Sequence, residues 1–156
     1  MKQQVLILEQ VDKKILLLKK VEDLSIPSTG WIKAIRKALG MSLRQLGEMM
    51  GITAQSVREI EEREMNSTIS LKVLKQFGRA MNMKLVYGFI PSGETLDDMI
   101  SRRALDIAKE IVHRTSASMK LEDQENDPER IERAINEKAR KIKDEMPKYL
   151  WDRTTI

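Results

Sequence analysis

The chain has 156 residues, 41% hydrophobic and 33% charged, with 28 Lys and Arg against 24 Asp and Glu, no Cys, one His and a formal net charge of +4. That suffices for one domain with an appendage or for two small domains, and excludes a large multi-domain enzyme. Without Cys there is no disulfide framework, thiolate metal site or thiol nucleophile, and a single His113 leaves little imidazole chemistry.

Only 7 Gly and 4 Pro among many helix formers predict an all-α protein. The longest apolar runs, such as residues 5–8 and 15–18, are far shorter than a membrane span or a signal-peptide core, so a soluble, cytoplasmic protein is expected. Residues 1–25 open with Leu8, Val11, Ile15 and Leu18 at three- and four-residue steps, which reads as one amphipathic helix. Two heptad-like steps are too few for a coiled coil, so the helix is expected to pack on the following domain, with a dimer arm as the alternative. The polar stretch from Ser25 to Gly30, with Pro27 inside it, ends it.

Four short helical patterns follow: Trp31 to Leu39, Ser42 to Met50, Thr53 to about Glu62, and Ser70 to Met81. Each of the last three starts at a Ser or Thr suited to capping orphan N–H groups. Lys84 to Pro91 reads as extended, a strand or a stiff connector. A long helix is expected from Thr95, with Leu96, Met99, Ile100, Ile107, Ile111 and Met119 as a broken apolar stripe. It loosens at residues 122–126. Asp127 and Pro128 then form a helix start, and Ile131, Ile135 and Ile142 share one side of a helix that stops at Pro147. The tail is thus expected to close as a hairpin.

Lys and Arg number 10 against 5 Asp and Glu in residues 26–92, 5 against 4 in residues 1–25, and 13 against 15 in residues 93–156. A basic middle segment suits nucleic acid, and a mildly acidic tail suits a different partner. Within the middle segment, residues 42–62 fit a helix-turn-helix. Gly47 allows a close crossing, Gly51 supplies a left-handed helix end, and Leu46, Met50, Ile52, Val57 and Ile60 fall where a shared core needs them.

On these residues the chain resembles the Xre or phage-repressor family over residues 26–92. The resemblance implies a five-helix DNA-binding domain with a reading helix whose groove-facing positions are Thr53, Ala54, Gln55, Ser56 and Arg58. Leu43 stands where the family has Gln, which leaves Arg44 and Gln45 as candidates for that contact. Gln55 can pair bidentately with adenine, Arg58 can meet guanine or a phosphate, and Ala54 can touch a thymine methyl. Lys33, Arg36 and Lys37 are phosphate-contact candidates, while Glu59, Glu61, Glu62 and Glu64 should point away from phosphates. Two copies on an inverted repeat of double-stranded operator DNA are expected, paired through the first helix or the extended segment.

Three other features lead nowhere. The glycine spacing from Gly88 to Gly93 matches a phosphate loop, but Glu94 stands where Lys is required. His113 near Ser116 and Ser118 lacks an oxyanion turn, and the ten Met residues read as packing. No cofactor or catalytic residue is implied.

The stretch from Thr115 to Asp123, followed by a helix, resembles the inhibitory region of Fic-toxin antitoxins, whose motif is Ser or Thr, three residues, Glu, then Gly or Asn. Ser118 and Glu122 match and Asp123 departs. With Gly30-Trp31-Ile32 and Leu85-Val86-Tyr87, most of the chain is similar to the family called mobile mystery protein A, whose members are encoded beside a Fic-domain partner. The resemblance implies a non-enzymatic antitoxin. Its glutamate would occupy the active-site arginine fork that holds the γ-phosphate of ATP, and Ser118, one turn earlier, would support it. A plain regulator with a dimerising tail and an antitoxin for an unrelated ribonuclease are the alternatives.

Overall fold

The structure is a computed structural model and describes residues 2–93, 95–121 and 127–153. The described chain is helical: α1 (Lys2–Lys19), α2 (Trp31–Ala38), α3 (Leu43–Met50), α4 (Ala54–Met65), α5 (Leu71–Ala80), α6 (Leu96–Leu121) and α7 (Pro128–Glu145), with a short 3₁₀ turn, Lys148–Trp151. No strand forms among the described residues. It divides into two compact units, residues 23–88 and residues 1–22 with 89–156.

In the unit of residues 23–88, helices of 8 to 12 residues are too short to be stable alone, so packing must hold them. Ile32, Leu46, Val57 and Phe77, one from each of α2 to α5, are its buried centre, ringed by Ile35, Met50, Ile52, Ile60 and Leu74. The ends are closed locally. Ser42 accepts from Gln45 N while its own N–H donates to the Gln45 side chain, a full capping box, and Thr53 and Ser70 cap α4 and α5. Gly51 ends α3 at φ 70°, and a Cβ on Gly47 would stand 2.6 Å from the Ile52 carbonyl oxygen, so the turn backbone passes where a side chain would be.

The helix α2 lacks a side-chain cap, because Gly30 precedes it. Glu64 of α4 supplies it, accepting from Trp31 N and Ile32 N at 2.8 Å each. One turn earlier on α4, buried Glu61 accepts two hydrogen bonds from Arg36, from Nε at 2.5 Å and Nη2 at 3.1 Å, while Arg36 Nη1 donates to the Met41 carbonyl at 2.9 Å. The bond to Glu61 raises the Arg36 pKa above its ordinary value, against the lowering effect of burial.

One expectation for this unit is corrected: it contains four helices where the resemblance implies five. After Asn82 at φ 52° no strand forms, so of the two forms expected for Lys84 to Pro91 the connector is the one found, with the Lys75 ammonium 5.9 Å from the Tyr87 ring. The β-branched and aromatic residues from Val86 to Phe89 around Gly88, with Pro91 after them, suit that form better than a helix.

In the other unit α6 and α7 pack antiparallel around Ile100, Ala104, Ile107, Ala108 and Ile142, closed at one end by Leu150. Lys143 near the end of α7 pairs with Asp97 at the start of α6 at 2.7 Å. Arg103 ties down the 3₁₀ turn by donating to the Leu150 and Asp152 carbonyls. The first helix was expected on the domain that follows it in sequence. It instead packs in this unit, where Leu8 joins the α6–α7 core and Asp12 caps α6, accepting from Leu96 N at 2.8 Å and Asp97 N at 3.3 Å. A carboxylate at that positive helix end satisfies donors that α6 cannot satisfy itself.

Arg36 and Glu61 side chains are 11% and 6% exposed, so removing one partner strands a buried charge. Arg36→Ala should destabilise the unit by about 3–5 kcal/mol, whereas Arg36→Met with Glu61→Leu should cost less than either single truncation. Urea unfolding read through Trp31 in a Trp151→Phe background checks this, and a double variant as unstable as Arg36→Ala would refute it.

Candidate nucleic-acid interface

The outer face of α4 is what the packing leaves over. Val57 and Glu61 are buried and Ile60 and Glu64 half-buried, so at 100° per residue the opposite side carries Gln55, Arg58, Glu59 and Glu62, all exposed. Thr53 is exposed too, its Oγ1 accepting from Ser56 N at 3.1 Å and lying 2.9 Å from Ser56 Oγ. Both hydroxyls therefore hold the start of α4, and Ala54 is half-buried beside them. Neither α3 nor α4 has an acidic residue in its first turn, so their positive ends stay open to phosphate.

On α3 the two candidates differ. Arg44 is 72% exposed and paired with Glu48 one turn on, a contact weak enough to exchange for a phosphate. The Gln45 side-chain oxygen is committed to the capping box, which leaves its NH2 group as the donor able to reach outward. Leu43 packs against the edge of the core and lines a groove between α2 and α4. Its apolar side chain there explains structurally what it does in place of a polar contact.

That groove also holds Lys33, Lys37, Arg58 and Glu62. Of the three cations of α2 expected at phosphates, Arg36 is removed by its bonds to Glu61 and the Met41 carbonyl. Lys33 and Lys37 line the groove. The four acidic residues of α4 separate similarly. Glu61 and Glu64 turn inward to hold α2, and Glu59 lies 4.0 Å from Arg63 on the surface. Glu62 does not turn away: it lines the groove with the cations, one helical turn after Arg58. A carboxylate there would repel an approaching phosphate.

Sequence reasoning missed the Arg36–Glu61 fork and the Glu64 cap, because charged residues 25 to 33 positions apart look solvated in a linear reading. In the other unit Ser118 is exposed near the end of α6, its Oγ donating to the Arg114 carbonyl at 3.2 Å. Glu122, Asp123 and Glu94 lie outside the described residues. Among the described residues no three His, Asp or Glu side chains gather as a metal site, and no helix is long and apolar enough to cross a membrane.

Residues 32–87 match the model of a helix-turn-helix family, the Xre-like one. The match covers α2 to α5 and the start of the connector. No curated protein and no solved structure matches the chain.

Gln55 and Arg58 are exposed on the outer face of α4 and make no contact that the fold needs. Replacing each with Ala should leave thermal stability within about 0.5 kcal/mol. Each replacement should weaken binding to a specific DNA site by about 1–3 kcal/mol per lost base contact. Fluorescence anisotropy on the upstream DNA measures this, and full affinity in the double variant would show that another surface reads the bases.

Proposed function

We propose that this chain, a DNA-binding regulator with an Xre-type helix-turn-helix at residues 32–87, represses the operon that encodes it and restrains a Fic-domain adenylyltransferase encoded alongside. The observation that carries the DNA-binding half is the outer face of α4. Its first turn and a half offers Gln55 and Arg58 beside a capped, acid-free helix start, while Lys33 and Lys37 flank it from α2. Thr53, Ala54 and Ser56 form the close-approach surface, Gln55 and Arg58 read base edges, and Arg44 and Gln45 contact the backbone from α3. The chain acts in the cytoplasm, where its DNA is, and is a regulator and not an enzyme.

The antitoxin half rests on the resemblance of residues 115–123 to Fic inhibitory regions and on where that stretch falls. Its first part, residues 115–118, lies toward the end of α6, with Ser118 exposed, and a second helix starts at the Asp127 cap. A glutamate following such a helix can enter a neighbouring protein's active site. Once there, a carboxylate on the arginine fork takes the place of the γ-phosphate oxygens, so ATP is held unproductively. Ser118 and Asp123 would steady Glu122 in that pose. The acidic balance of residues 93–156 suits a partner with a cationic nucleotide site.

Two measurements test the halves separately. Affinity for the upstream DNA should fall steeply with salt, and Lys33→Ala or Lys37→Ala should each lower the slope of log affinity against log salt by about one unit. Transfer of labelled AMP by the purified complex with the Fic-domain protein should rise about tenfold or more in Glu122→Gln, which keeps shape but loses charge-assisted bonds. Ser118→Ala should act in the same direction and more weakly. A Glu122→Gln complex that stays assembled and as silent as the natural one would remove the inhibitory role and leave the regulator alone.

A further inference from the structure

The helix α1 uses only one side. Ile15 is buried and Leu8, Asp12 and Leu18 are half-buried, which places the packed face along residues 8, 12, 15 and 18–19. Away from it, at 100° per residue, Val5, Leu6, Glu9, Lys13, Leu16 and Leu17 share an arc of about 120°. All six are exposed, and the four apolar ones are 44% to 65% exposed. An apolar stripe this open on one helix marks an interaction surface.

The order of those six residues says what covers them. About residue 11 the sequence of the face is symmetric in kind: Val5 answers Leu17, Leu6 answers Leu16, and Glu9 answers Lys13. We propose that this face pairs with the same face of a second copy, antiparallel about a two-fold axis at residue 11. In that register the leucines and Val5 of one copy meet those of the other at both ends, and Glu9 of each copy faces Lys13 of the other, giving two opposite-charge pairs. A parallel pair would set Glu9 against Glu9 and Lys13 against Lys13. The antiparallel register also brings sequence positions 2 and 20 together, both Lys and both beyond the six residues of the stripe.

A second feature falls in the same place. Val5 and Leu6 form one wall of an open, mainly apolar groove completed by Leu8, Ile100 and Met146 and also lined by Asp97, Lys143 and Asp144. Leu16 and Leu17 of the second copy arrive at Val5 and Leu6, so they fill this groove while α1 covers its twin. Of the other exposed apolar residues near it, Ile7 lies on the other flank beside Lys14, where no acidic side chain offers a match, Val11 falls between Leu18 and Ile15 at the edge of the packed face, and Val21 follows the end of α1. The contact is isologous, as a two-fold dimer requires. One 18-residue helix per copy, about 27 Å long, makes a small interface, so the dimer is weak and readily reversible when free.

The test uses the full chain without DNA, so it stands or falls apart from the DNA-binding reading. Sedimentation equilibrium should show a concentration-dependent monomer–dimer equilibrium. Glu9→Lys and Lys13→Glu should each weaken the dimer about tenfold by opposing like charges twice, and the two together should restore it to within about threefold. All are at exposed positions, and unchanged circular dichroism verifies the fold. Orientation is read by cysteine pairing, which a chain without native Cys permits. Mixed Val5→Cys and Leu17→Cys proteins should cross-link under mild oxidation. Val5→Cys alone should not, since antiparallel copies hold those positions about 18 Å apart. A chain that stays monomeric to about 100 µM overturns the proposal. So does a dimer that neither single charge reversal weakens, or one that Val5→Cys alone cross-links.

Discussion

The buried fork between Arg36 and Glu61 is the contact on which the pose of the reading helix depends. Short helices such as α2 and α4 have too few turns to fix their own crossing, and an apolar core of Ile32, Leu46, Val57 and Phe77 is non-directional. A planar guanidinium held by two carboxylate oxygens and the Met41 carbonyl fixes angle as well as distance. Glu64 adds a second attachment one turn on by capping α2, whose own cap position is Gly30. The inner edge of α4 is therefore an anchor made of two acids, and its outer face is free of structural duty.

This division of labour bears on charge. The helix-turn-helix unit must present a basic surface, yet α4 carries four glutamates among its twelve residues. Two face inward against α2, where their charge is spent on an arginine and on helix N–H groups. Glu59 sits near Arg63 on the surface, leaving Glu62 as the acid that remains on the basic groove. Arg36 is thus committed to holding α4, and Lys33 and Lys37 are the α2 cations left lining the groove.

How much of this is legible in the sequence depends on range. Local rules carry a long way: Ser42, Thr53, Ser70 and Asp127 cap the helices they precede, Gly47 and Gly51 do what the turn needs, and Leu46, Met50, Ile52, Val57 and Ile60 face one core. What is lost is long-range and polar. Nothing near Asp12 says that it caps a helix 84 residues away, and nothing near Glu61 says that it is buried. An amphipathic helix declares that it has a partner and not which one, so α1 was expected on the wrong neighbour. The fifth helix was implied by the family resemblance alone; residues 84–91 read as extended from their own composition, and no helix forms there. At the candidate interface the exposure of Thr53, Gln55 and Arg58 was readable from the helix-turn-helix register. The use of Arg36 and the intrusion of Glu62 were not, because each depends on which way a helix is rolled against its neighbour.

In the DNA-binding mode proposed above, the short span available to base contacts gives a second copy its weight. With Glu62 on the groove, one copy would offer two bidentate readers, Gln55 and Arg58, and an apolar contact from Ala54. At about 1–3 kcal/mol per good contact, that supplies roughly half of the 4–10 kcal/mol that separates specific from non-specific binding. A second copy on a symmetric half-site doubles the base contacts, and any link between the copies makes the second binding event intramolecular. The link need not be strong. A weak seam such as the one proposed along α1 leaves free chains largely apart, and on DNA its contribution adds to contacts already made. Occupancy of the operator then rises more steeply than in proportion to protein concentration. That sensitivity would suit the self-repression proposed above.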